Sequence, residues 1–199
     1  LQLRLGQQRE DETVAATGKD EQVTPQAVIE FWKQAGPKHW FAKDKAFDTL
    51  FRDTFYSAHF LAASRQLEHW LAQPEGALAL LLLLDQYPRN AFRGTAHMFA
   101  TDSLARFYAR QMINNGLDKA FEADLRLFCY LPFEHSEDAA DQQLSLQLHL
   151  SLGPQASVWA QEHAEIIQRF GRFPHRNEAL GRETTEQERM FLDQGGFAG

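Results

Sequence analysis

Five consecutive leucines, Leu80 to Leu84, run straight into Asp85-Gln86-Tyr87-Pro88-Arg89-Asn90-Ala91-Phe92-Arg93. No single stripe of an amphipathic helix can hold five adjacent residues, so the segment reads as a helix buried on most sides. Such a rod must have other elements packed around it. Pro88 lacks an amide hydrogen, and a leucine helix spanning residues 75–86 is predicted to break there. Asp85 then lies near the negative end of the helix dipole, where a carboxylate needs a cation. Arg89 and Arg93 are the nearest ones. The stretch therefore predicts a charged knot at the end of the most buried element.

The chain of 199 residues is long enough for one sizeable core or two small ones. A hydrophobic share of 44% and a charged share of 24% are ordinary for a globular protein. Sixteen Phe, four Trp and four Tyr imply a core packed on rings. The formal charge of -7 argues against a nucleic-acid partner, which needs a basic face to displace counterions. The single cysteine, Cys129, rules out an internal disulfide and a multi-cysteine metal site, and its apolar neighbours suggest a small buried hydrophobe. No signal peptide is evident, and the longest apolar run, Ala77 to Leu84, falls well short of the roughly 20 residues that cross a bilayer. No membrane partner and a cytoplasmic location are the resulting expectations.

Residues 1–22 are polar, apart from Leu1, Leu3 and Leu5, which could pack as a short element; Gln7 to Gln22 reads as a mobile lead-in. Residues 23–199 read as one helical domain. Thr24-Pro25 opens the first helix and Gly36-Pro37 closes it. Asp44 caps a second, with Phe47, Leu50, Phe51 and Phe55 at helical spacing. A turn carrying Leu67 and Trp70 leads to the leucine rod, and residues 90–100 read as mostly irregular. Thr101-Asp102 caps the next helix, which Asn115-Gly116 stops. Residues 121–131 form another, interrupted by Pro132. Ser136 is expected to cap the following helix, with Glu137 and Asp138 on its positive end. Its alternating Leu144, Leu146, Leu148 and Leu150 suggest deep burial. Helices around 158–170, briefly 175–180, and from the capping box at Thr185 complete the chain. No strand pattern is found. The fold class is all-α, a bundle or superhelix of about eight or nine helices.

Three polar clusters could carry chemistry. The first is the knot of Asp85, Gln86, Arg89, Asn90 and Arg93, which serves equally as a buried ion pair fixing the helix end. The second is Glu134-His135-Ser136-Glu137-Asp138, where Glu134 and His135 could form an acid–base pair or hold a divalent ion. Metal-ligand spacing is absent there, with no His-x-x-x-His, and no metal or cofactor is expected. The third is Arg169 to Asn177 with Arg182, whose Arg172, His175 and Arg176 suit a carboxylate or phosphate. Those arginines could instead answer Asp85, Glu134 and Glu137 internally. The histidines at 39, 59, 69, 97, 149 and 163 are scattered and read as structural. No activated serine, phosphate-cradling loop or dinucleotide fingerprint is present.

The blocks Phe31-Trp32, Leu84-Asp85-Gln86-Tyr87-Pro88-Arg89-Asn90, Phe92-Arg93-Gly94-Thr95-Ala96, Phe99-Ala100-Thr101-Asp102, Leu131 to Asp138 and Arg169 to Asn177 resemble, in order and wording, the bacterial domain of unknown function 924 family. The resemblance spans residue 24 to the end. It implies an all-helical, tetratricopeptide-like right-handed superhelix and no established activity.

Two functional expectations follow. In one, the clusters converge on a cleft for a small anionic ligand: Arg89, Asn90, Arg93, Arg172, His175 and Arg176 hold it, and Asp85, Glu134 and His135 shuttle protons, with hydrolysis the least strained reaction. In the other, the protein is a non-enzymatic scaffold for a peptide partner and the clusters are structural glue. A homodimer is compatible with both. Solvent access to the arginines separates them.

Overall fold

Local signals start most of the helices. In this computed structural model, which describes residues 23–199, Thr24 caps α1 (Pro25–Ala35), its hydroxyl accepting from the Ala27 amide at 3.2 Å. Gly36, at φ 69°, ends it, a conformation that an L side chain resists. After the single turn of α2 (Pro37–Trp40), Asp44 caps the long α3 (Lys45–Ala63) by accepting from the Ala46 and Phe47 amides. A 3₁₀ turn (Glu68–Ala72) leads to α4 (Pro74–Leu81). Beyond α5 (Tyr87–Ala91) follow α6 (Asp102–Asn114), α7 (Ala123–Glu134), α8 (Ala139–Leu152), α9 (Ser157–Phe170) and α10 (Glu186–Asp193). Thr185 and Glu188 form the expected capping box. The described residues contain no strand, and with α4 and α5 taken as one rod they make nine helical elements. The expected N-terminal leucine element and mobile lead-in lie outside the described residues.

The leucine rod is central. Every residue from Ala77 to Leu84 is at most 1% exposed. α4 packs against α1, α6 and α7, while α6 to α9 pack as consecutive neighbours. Each fully buried leucine contributes about 1.5–3 kcal/mol of hydrophobic stabilisation. At one end lies an aromatic cluster in which Trp32 meets Phe51 at 5.4 Å and Phe128 edge-on at 5.2 Å. A smaller core, Ile166, Ile167 and Phe173, sits under Phe170, Phe191 and Phe197.

Neither interior proline ends its helix. The backbone widens into a π-helical turn at Leu82–Gln86 and continues as α5 through Pro88 to Ala91. In an α-helix the Pro88 amide would bond the Leu84 carbonyl. Donors from elsewhere replace it: Thr101 Oγ1 donates to Leu84 O at 2.5 Å and His59 Nδ1 to Leu83 O at 2.9 Å. Asp85 therefore lies inside a continuous rod, not at a frayed end. Thr101 does precede α6, but its hydroxyl makes no capping bond because it is spent on Leu84. Pro132 likewise lies inside α7, which runs to Glu134. Residues 96–99, expected to be irregular, form a 3₁₀ turn.

Two expectations about α8 are also corrected. Asp138, not Ser136, is its N-cap. Its leucines are not deeply buried: Leu150 is 59% exposed, whereas the inward face carries Asp141, Gln142, Ser145 and His149. That buried polar stripe faces the site described below. Replacing Thr101 with Val should leave the Leu84 carbonyl buried without its donor and cost about 1–3 kcal/mol. Urea denaturation of Thr101→Val against the parent measures it; an unchanged midpoint would show that the π turn needs no outside donor.

Candidate functional site

Asp85, 1% exposed, is the hub. His135 Nδ1 donates to its Oδ1 at 2.7 Å and Gln86 Nε2 to its Oδ2 at 2.6 Å. Arg89 NH1 lies 3.3 Å from the same carboxylate. Burial pushes the Asp85 carboxyl up, but Arg89, His135 and Gln86 outweigh it and hold it well below the usual range. Arg89 also grips Asp102 with both terminal nitrogens, at 2.7 and 2.9 Å. Arg176 extends the network: NH2 donates to the His135 carbonyl at 2.9 Å and NH1 reaches Asp102 at 3.5 Å. Its guanidinium rests against Phe99 at 4.5 Å and Phe173 at 4.6 Å. Burial and the neighbouring Arg89 lower its pKa to about 10.

Behind this network lies a layer of imidazoles. Glu134, 4% exposed, has His149 Nε2 at 3.3 Å and His163 Nδ1 at 3.6 Å. Burial first, then the charge on Asp85, raises Glu134 to about 8, so it is largely a neutral acid at pH 7. The imidazoles are neutral too: burial lowers His149 to about 4, and His163 and His175 to about 3. These close contacts are therefore between neutral groups, not ion pairs. His149 Nδ1 donates to Ser145 O and His163 Nδ1 to Trp159 O, both at 2.8 Å, which fixes the tautomers. Gln142 Nε2 donates to the Glu134 and Ser136 carbonyls at 2.7 and 2.6 Å, holding the turn that presents His135. Phe197 lies over this layer, 4.5 Å from His163 and 5.1 Å from His175.

Of the nine expected site residues, six gather here: Asp85, Arg89, Glu134, His135, His175 and Arg176. Three do not. Asn90 and Arg93 turn to Asp48, Asn90 Nδ2 at 2.7 Å and Arg93 Nε at 2.9 Å. Arg172 points to α10, where Nε and NH2 hold Glu188 at 2.6 and 2.8 Å. The Arg172 loop nevertheless docks beside His135, through Arg176 and through Glu137, which accepts from the Phe173 amide at 2.8 Å. Glu137 pairs with Arg182 at 2.8 and 3.0 Å rather than serving the α8 dipole. Sequence reading missed Asp102, His149 and His163. The i, i+3/i+4 spacing of Asp141, Gln142, Ser145 and His149 was the available signal, since a polar stripe at helical period can face inward as an apolar one does. Among the described residues no three His, Cys, Asp or Glu side chains are arranged to share a metal ion, and no helix is long and apolar enough to cross a membrane.

Residues 28–196 match the profile of a family described as bacterial protein of unknown function, DUF924. The chain belongs to the DUF924 family. Most of this family member is also similar to a solved structure, a protein of unknown function from Agrobacterium tumefaciens, at 56% identity and a TM-score of 0.84. That match covers 86% of this chain and 97% of the other. No curated protein matches this DUF924 chain.

Glu134 sets a pH signature. A carboxyl raised in the folded state, from 4.5 to about 8, contributes stability that is full below pH 4.5 and lost as pH rises through 8. The buried histidines act oppositely, their contribution being full above 6.5 and lost as pH falls toward 4 and 3. Glu134→Gln should therefore gain stability relative to the parent between pH 5 and pH 8. Denaturant titrations at both values read the difference; equal differences would mean that Glu134 ionises normally.

Proposed function

We propose that this protein binds a small monoanionic ligand, a carboxylate, beside the Asp85–His135 dyad, and that His135 exchanges a proton with it. One observation carries the reading. Arg176 is 6% exposed, and its Nε is buried with no hydrogen-bond partner among the described residues, while the same guanidinium holds the His135 carbonyl. A buried donor without an acceptor costs about 1–3 kcal/mol. Such a group calls for an explanation, and a catalytic role or a bound partner is among the few available. The dyad supplies the chemistry. A carboxylate that accepts from Nδ1 orients the ring and leaves Nε2 as the base, as in hydrolytic sites generally. His135 keeps 14% of its side chain exposed.

Charge balance narrows the ligand. Asp85 and Asp102 are matched by Arg89 and Arg176, and Glu134 is neutral, so an arriving monoanion is uncompensated unless a proton comes with it. Burial and Arg89 depress the His135 pKa in the free protein. A bound anion reverses that, and His135 takes the proton. A phosphate dianion would overcharge the site. Hydrolysis of an ester or amide that releases a carboxylate is the reaction class this suits.

A second reading, a non-enzymatic scaffold, has its own support. The arginines are otherwise paired within the molecule, and two surface grooves, one beside Phe31 and Phe47 and one beside Asp48 and Arg93, lie elsewhere. Leu150, Val158 and Trp159, each more than half exposed on α8 and α9, would suit a protein partner.

Calorimetry with acetate, succinate and glutamate in buffers of different ionisation enthalpy separates the two. The enzyme reading expects saturable binding with uptake of close to one proton at pH 7.5, lost in Arg176→Lys, which keeps charge but not the planar fork. At about one hundred times Kd such a ligand adds about 2.7 kcal/mol of stability. Absence of saturable binding by any of the three favours the scaffold. Phe197→Ala should speed acylation of His163 and His175 by diethyl pyrocarbonate, mapped by mass spectrometry; unchanged rates would show that the ring does not shield them.

A further inference from the structure

Asn90 and Arg93 stand apart from the buried network, and where they go defines a second site. With Lys43, Lys45, Thr49, Arg52 and Asp48 they line a groove of about 460 Å³. That volume lies within the roughly 300–1,000 Å³ typical of small-ligand sites. Four of the lining side chains are cations, against one carboxylate, on a chain whose formal net charge is -7. The lone carboxylate is engaged: Asp48 accepts from Asn90 Nδ2, from Arg93 Nε and from Arg93 NH2 at 2.7, 2.9 and 3.1 Å. Lys43 and Lys45 are exposed and form no ion pair among the described residues. Arg52 gives Nε to Asp53 at 2.9 Å, which leaves its terminal nitrogens for another acceptor.

The arrangement is built by the fold rather than scattered over it. Lys45, Asp48, Thr49 and Arg52 recur at helical spacing along the first two turns of α3, so they share one face. Asn90 is nine-tenths buried at the end of α5, and through Asp48 it ties that face to Arg93. The amides of α3 take no direct part. Those of Ala46 and Phe47 are held by the Asp44 side chain, and that of Asp48 by the Asp44 carbonyl. Recognition must come from side chains: two lysine point charges, the terminal nitrogens of Arg52, NH1 of Arg93, and the Thr49 hydroxyl.

We propose that this groove is a binding site for a small molecule carrying a pyrophosphate group. Several cations drawn from two elements around one concavity match an extended polyanion. A single carboxylate would meet only part of them. Lysine ammonium groups and arginine guanidinium groups both suit phosphate oxygens, which accept from either. The site shares no residue with the Asp85–His135 network, so it stands or falls separately from the carboxylate reading.

The test is titration of the full chain with inorganic pyrophosphate, followed by calorimetry and by amide shifts in heteronuclear NMR. The expected result is saturable binding that weakens as sodium chloride is raised, with the largest shifts at Thr49 and Ala91. Lys43→Glu combined with Lys45→Glu should bind roughly tenfold more weakly or worse. The second change places an acid in the first turn of α3, where the dipole favours it, so lost binding would not stem from a lost helix. Lys43→Gln with Lys45→Gln is the second variant should the charge reversal disturb folding, and circular dichroism melts check both. Three results would overturn the proposal: no saturable binding, equal affinity in the lysine variants, or shifts centred away from the groove. Sulfate binding as tightly as pyrophosphate would also overturn it, since the groove would then be a general anion trap.

Discussion

A missing amide hydrogen in the middle of the most buried rod sets the terms for the polar half of the molecule. Pro88 cannot donate to the Leu84 carbonyl, and an unpaired carbonyl at that depth is costly. The backbone answers by widening into the π turn, and outside donors cover what remains: His59 from α3 for Leu83, and Thr101 for Leu84. Arg89 closes the series on the carbonyl of Asp85 itself, at 2.7 Å. Each repair recruits a neighbour. Thr101 brings Asp102 into reach of Arg89, and Asp102 in turn gives Arg176 something to approach. The ionic network is thus downstream of a backbone problem, and π turns of this kind recur where function needs a side chain re-aimed.

Burial then decides which of the gathered groups carry charge. Asp85 and Glu134 are both nearly inaccessible carboxyls, yet they shift in opposite directions. Asp85 has Arg89 and two direct donors, so it stays ionised. Glu134 faces imidazoles whose own charging is suppressed by burial, and it lies near the negative Asp85, so it keeps its proton. Two acids pushed apart by their surroundings are the usual raw material of acid–base sites.

How much of this was legible in the chain depends on the range of the interaction. The caps at Thr24, Asp44 and Thr185 were readable because donor and acceptor lie within three residues. The leucine rod was readable because five adjacent leucines have only one solution. Apart from the α8 cap, which shifts by two residues from Ser136 to Asp138, the failures are non-local. Pro88 and Pro132 look like stops, and whether a helix survives a proline depends on donors that periodicity cannot see. The alternating leucines of α8 suggested burial, while the residues that turn inward are Ser145 and His149, chosen by what α7 and α9 present to them. The arginines posed the same difficulty. The sequence clusters suggested that they would converge near His135, as Arg89 and Arg176 do, but the choice of Glu188 for Arg172 and Asp48 for Arg93 is a matter of geometry alone.

That partition of arginines separates two electrostatic environments that the sequence runs together. Around Asp85 the charges cancel and the groups are nearly inaccessible, so the monoanion proposed there would have to bring a proton with it. In so dry a setting one unmatched charge costs more than most contacts return. Around Asp48 the cations outnumber the acids and remain wet, so an anion is favoured without any proton, but each contact is weak and screened by salt. The first environment suits the small monoanion proposed for it, and the second suits the larger polyanion proposed there. Both hang on the same rod: Arg89 lies within α5, Arg93 two residues past its end, and they face different partners.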